Sequence, residues 1–128
     1  MKVCTAMLRY HLGQVTLAYF VDHDEVPEDL GELDSYIETM RRGAQASGDL
    51  PWLLLGLRQL LHGPWVDLAV YGGGVFPLSD EDMRDIIIRV LSRLDARAGF
   101  SAPDVPVQLE SMGGELWRTY RDSWGPWS

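Results

Sequence analysis

The segment Trp52-Leu53-Leu54-Leu55-Gly56-Leu57, followed shortly by Leu60 and Leu61, is apolar on nearly every side of a helix. A helix without a polar stripe must be covered all round, so residues 50–62 are predicted to be the buried central element of the fold. Its apolar run is far too short to span a membrane. Asp49 stands where a helix cap is needed, Pro51 lies in the first turn, and His62-Gly63-Pro64 ends the segment.

Two amphipathic helices are expected to supply part of that cover. Met83, Ile86, Ile87, Val90, Leu91 and Leu94 build a wide apolar stripe, with Ser79 and Asp82 at capping-box spacing and Gly99 at the far end. Over 28–42, Leu30, Leu33, Ile37 and Met40 recur on one stripe. Acids crowd the first turn of that segment, Arg41 and Arg42 the last, and Gly43 is the expected C-cap before a linker over 43–49.

The remaining apolar segments read as strands. Residues 2–10 and 15–21 alternate in strand fashion around the short glycine loop His11-Leu12-Gly13-Gln14, the pattern of an antiparallel hairpin. Residues 66–71 read as a strand stopped by Gly72-Gly73-Gly74. Val105, Val107 and Leu109 suit a short edge strand, because Pro106 cannot serve a central one. Residues 114–124 are read as a last helix with Trp117, Tyr120 and Trp124 on one face. The predicted class is α+β: an N-terminal antiparallel β-hairpin in a small mixed sheet of three to four strands, packed by three to four helices. The chain of 128 residues is expected to be a single domain, 1–128, with an aromatic-rich C-terminal segment, 114–128.

Familiar catalytic and cofactor signatures fail on inspection. A single cysteine, Cys4, excludes an internal disulfide and every multi-cysteine zinc pattern. The triple glycine is not followed by Gly-Lys-Ser/Thr, and Asp80, Glu81 and Asp82 stand where a phosphate would sit. It is read as a turn. Asp22-His23-Asp24-Glu25 holds metal-ligating types, but adjacent residues rarely converge on one ion, and a solvated loop is expected. His11, His23 and His62 are possible general bases without a recognisable nucleophile motif. No cofactor, metal or catalytic residue is therefore assigned, and the reading leans away from an enzyme.

Charge points to a class of partner. The net charge is −8 and the pI about 4.7, so phosphate-rich nucleic acid and anionic membranes are disfavoured. No secretory-type apolar stretch follows Lys2, which predicts a cytoplasmic protein. One lysine and no asparagine suit a GC-rich genome, bacterial or phage. Eight acids and no Lys or Arg lie between Asp22 and Glu38. On a helix over 28–42, Glu28, Glu32 and Glu38 fall opposite the apolar stripe, with Asp24 and Asp34 nearby. Such a face is suited to steering toward a basic protein. Trp124 and Trp127, flanking Gly125-Pro126, are further contact candidates.

The leading expectation is a non-catalytic module that recognises or inhibits a basic partner, by type like immunity proteins, antitoxins and phage inhibitors. One alternative is a small-molecule-binding protein or small enzyme with a pocket under the Trp-rich C-terminus. Another is a structural subunit of a larger assembly, with homo-oligomers possible.

Overall fold

Residues 5–20, expected as most of a hairpin, form one helix. Two rows at i, i+4 spacing explain it: Met7, His11, Val15 and Tyr19, beside Leu8, Leu12, Thr16 and Phe20. Every one of these eight side chains is buried. The same residues also alternate by twos, which is why the strand reading arose. The computed structural model describes residues 1–62, 67–73, 77–98 and 106–124, with the backbone alone at 95–98.

The order is β1 (Lys2–Cys4), α1 (Thr5–Phe20), a 3-10 helix (Leu30–Leu33), α2 (Asp34–Ser47) and α3 (Leu50–His62). A second 3-10 helix (Leu68–Gly72), α4 (Asp80–Ala98), β2 (Gln108–Glu110) and α5 (Gly114–Ser123) follow. The predicted α+β sheet of three to four strands is thus replaced, among the described residues, by a mostly helical fold with one two-stranded parallel sheet. β1 pairs with β2 in the register Lys2 to Gln108, Val3 to Leu109 and Cys4 to Glu110. Of the edge strand expected over Val105, Val107 and Leu109, the part at Gln108–Glu110 is present, with Val107 just before it and Val105 outside the described residues; its partner comes from residues 2–4 and runs parallel.

The strand expected over 66–71 is corrected too: residues 68–72 are a 3-10 helix. Gly73 follows it at φ 86°, a left-handed conformation suited to glycine. A Cβ there would stand 2.7 Å from Leu17 of α1, so the same residue permits the turn and the close approach of α1. The Thr16 hydroxyl lies 3.0 Å from the Gly72 carbonyl and 3.2 Å from that of Leu12, either of which can accept its hydrogen. Gly74 and Gly99 lie outside the described residues.

The helices read from their stripes are buried as expected. Leu53, Leu54 and Leu57 of α3 are fully enclosed, as are Met83, Ile86, Ile87 and Val90 of α4. The Asp82 amide donates to Ser79 Oγ at 3.0 Å, confirming that cap. The helix expected over 28–42 instead begins as a 3-10 helix, with the Asp29 carboxylate accepting from the Gly31 amide, and runs on to Ser47. Its C-cap is Gly48 at φ 84°, rather than Gly43, which lies inside α2.

Asp49 has a larger task than capping. Its Oδ1 accepts from Trp117 Nε1 at 3.0 Å and Arg121 Nη1 at 2.8 Å; its Oδ2 accepts from His11 Nε2 at 2.8 Å. The carboxylate thus ties α1, the α2–α3 junction and α5 together at one buried point. Trp52 of α3 meets Trp117 edge to face, with ring centroids 5.2 Å apart. Trp117 is accordingly buried and Tyr120 half-buried, with the Tyr120 hydroxyl accepting from the Lys2 amide at 2.7 Å.

Burial alone would raise the Asp49 carboxyl's pKa, but the hydrogen bonds from His11, Arg121 and Trp117 outweigh it and hold the group at about 2. A depressed folded-state pKa contributes stability that is present above the unfolded-state value and lost as pH falls through the folded one. The drop from 3.8 corresponds to about 2 kcal/mol, to be lost between roughly pH 5 and pH 2. Urea unfolding across that range should show the loss in the wild type and a flatter acid limb in Asp49→Asn. Parallel acid limbs would show that Asp49 is not the group responsible.

Candidate functional site: an acidic groove

The end of α1 sets one wall of the candidate site. Tyr19 is buried there, meeting Phe20 and Tyr36 edge to face. His23, just past the helix, stacks on the Tyr19 ring with centroids 3.9 Å apart and planes within 5°. Its Nδ1 lies 2.8 Å from the Tyr19 carbonyl, an acceptor, so Nδ1 carries the hydrogen. Pro27 is buried and Val26 partly so, which ties the loop down between α1 and the first 3-10 helix.

On this framework the exposed acids gather around a concavity rather than along a helix face. Asp22, Asp24, Glu25, Glu28 and Glu32 line a groove of about 560 Å³ together with Tyr19, His23, Val26 and Pro27. None of the five carboxylates pairs with a basic side chain of the described residues. Burial first, and then the nearby Glu32 carboxylate, raise the pKa of the Tyr19 phenol above its ordinary value, in keeping with a negative surface.

The structure separates the acids that the sequence grouped. Asp24, Glu28 and Glu32 come together in the groove. Asp34 instead receives Arg89 in two hydrogen bonds, at 2.6 and 2.9 Å, with Arg93 at 3.8 Å. Those Arg89 hydrogen bonds lower the Asp34 carboxyl's pKa. Glu38 takes Arg41 through both oxygens, at 2.7 and 3.0 Å, and Arg42 at 3.5 Å. Arg41, Arg42, Arg89 and Arg93 thus answer the two acids of α2, while the acids of the preceding loop have no such partner among the described residues. Asp22 and Glu25, counted from sequence among the eight acids and as metal-ligating types but not among the contact residues, join the groove; their signal was adjacency to Asp24 in a segment without Lys or Arg.

Trp124 packs partly on its own chain, its ring 6.2 Å from Trp52, and remains 39% exposed. It lies on α5's end and outside the groove. Trp127 lies outside the described residues. Among the described residues no group of three or more His, Cys, Asp and Glu side chains is placed to hold a metal ion, and no helix is long and apolar enough to cross a membrane. Comparison of the chain with protein-family models, curated proteins and solved structures finds no match.

Proposed function

We propose that the chain is a binding module that receives a basic segment of another protein in the groove between the end of α1 and the first 3-10 helix. The supporting observation is the convergence on one concave surface of five carboxylates, Asp22, Asp24, Glu25, Glu28 and Glu32, that have no basic partner among the described residues. A concave site of one charge sign focuses its field and accelerates encounter with an oppositely charged partner. Asp34 and Glu38 are set aside as contact residues because their charge is already answered by Arg89 and Arg41. Where the partner's basic surface is also its working surface, occupancy of the groove inhibits it.

The test uses an arginine-rich peptide as probe and stopped-flow association at two salt concentrations. Glu28→Lys with Glu32→Lys is expected to slow association about tenfold and to flatten its salt dependence. Glu81→Lys with Glu115→Lys changes the net charge equally at two exposed positions elsewhere, and is expected to have a much smaller effect. Equal slowing in the two double variants would mean that only net charge matters and the groove does not recognise the peptide.

A further inference from the structure

A second concavity lies where α5 docks. It has a volume of about 480 Å³ and is walled by the start of α1, the α2–α3 junction and the β2–α5 segment. This is within the range of small-molecule sites, roughly 300–1,000 Å³. Its walls are mainly apolar: Cys4, Met7, Met112 and the Trp117 ring, with Ala6 and the exposed Tyr10 at the mouth. Two methionines make a wall that adapts to the shape of an apolar guest.

The polar groups decide what kind of guest fits. Asp49 lines the site but its oxygens are occupied: Oδ1 by Trp117 and Arg121, Oδ2 by His11, with the Ser47 hydroxyl 3.1 Å from Oδ2. A carboxylate offers about four lone-pair sites, so Asp49 has little left to offer a cationic or hydroxylic ligand. Arg121 is likewise engaged, by Asp49, the Ser47 carbonyl and Asp122. Arg118 differs. It lines the same site, is exposed, and makes no ion pair with any described residue. Once the paired charges cancel, one positive charge remains beside an apolar hollow, on a chain whose net charge is −8.

We infer that this pocket binds a small apolar carboxylate, with the hydrocarbon between Met7, Met112 and Trp117 and the anionic group on Arg118. The chemistry rests on complementarity: apolar walls desolvate the body, and a guanidinium matches a carboxylate in two-pronged fashion. The pocket shares no lining residue with the acidic groove, so the inference stands apart from the proposed function.

Octanoate, 1-octanol and octylammonium are the probes, with titration followed by calorimetry and by the Trp117 indole N–H resonance. Octanoate is expected to bind saturably and shift that resonance, octanol to bind about tenfold more weakly, and octylammonium not at all. Arg118→Gln should bring octanoate down to the octanol level without changing the melting temperature. Ala6→Trp, which fills the mouth from an exposed position, should abolish both. Absence of saturable octanoate binding would overturn the inference. So would octanoate affinity that is unchanged in Arg118→Gln, or octanol binding as tight as octanoate. A change of oligomeric state in Ala6→Trp would show instead that a second copy of the chain covers the pocket.

Discussion

Replacement of Asp49 by alanine is expected to cost about 3–5 kcal/mol, because it leaves buried partners with nothing to accept their hydrogens. His11 is 2% exposed and Trp117 4%, so neither can turn to water for a new acceptor. Arg121 retains the Ser47 carbonyl and Asp122, but its guanidinium loses the charge opposite it at 2.8 Å. The loss is not confined to one helix, because the carboxylate joins α1 and α5 to the start of α3. Urea midpoints for wild type and Asp49→Ala measure it. A cost below about 1 kcal/mol would mean that the network exchanges partners freely and that the aromatic contacts of Trp117 with Trp52 hold α5.

Gln14→Pro is expected to cost about 3 kcal/mol or more, since proline inside a helix removes a hydrogen bond and clashes with the preceding turn. Gln14 is exposed in the middle of α1, so the side chain itself contributes little packing. The substitution separates the two readings of this segment. In a hairpin with a loop over 11–14, proline would sit in a turn and be tolerated. In α1 it breaks the helix that carries His11, Thr16 and Tyr19. Gln14→Ala serves as the control and is expected to be neutral or slightly stabilising, because alanine is the stronger helix former. Thermal melts and helical circular dichroism of the two variants provide the comparison. Equal melting temperatures would contradict a continuous α1.

The difference between the sequence reading and the fold is concentrated where two periodicities coincide. In residues 2–21 the apolar side chains satisfy both alternation and the i, i+4 rows, and no polar face breaks the tie. Val15 and Thr16 favour strands locally, and Gly13 resembles a turn. Packing decides for the helix, because α1 lies against α2, α3 and the 3-10 helix over 68–72 and buries both rows together. By contrast, residues 80–94 carry an apolar stripe with a polar remainder and a serine cap. There one period alone fits, and the helix is legible.

The acidic site divides in a similar way. That residues 22–38 carry eight acids without a basic residue is a property of the chain itself, and it determines a negative surface in any fold that leaves them exposed. Which of them stay uncompensated depends on Arg89, 55 residues beyond Asp34, and on how α2 presents Glu38 to Arg41. The sequence by itself determined the buried α3, the striped α4, the absence of a disulfide and the excess of negative charge, because each follows from local composition and spacing. Tertiary structure alone decided that α1 is a helix, that Asp49 joins α1 and α5 to the α2–α3 junction, and that Arg118 stands beside an apolar hollow without an ion pair to any described residue. Those outcomes depend on partners distant in sequence, and the energy of a buried hydrogen bond or ion pair exists only once folding has brought both groups together and removed water from between them.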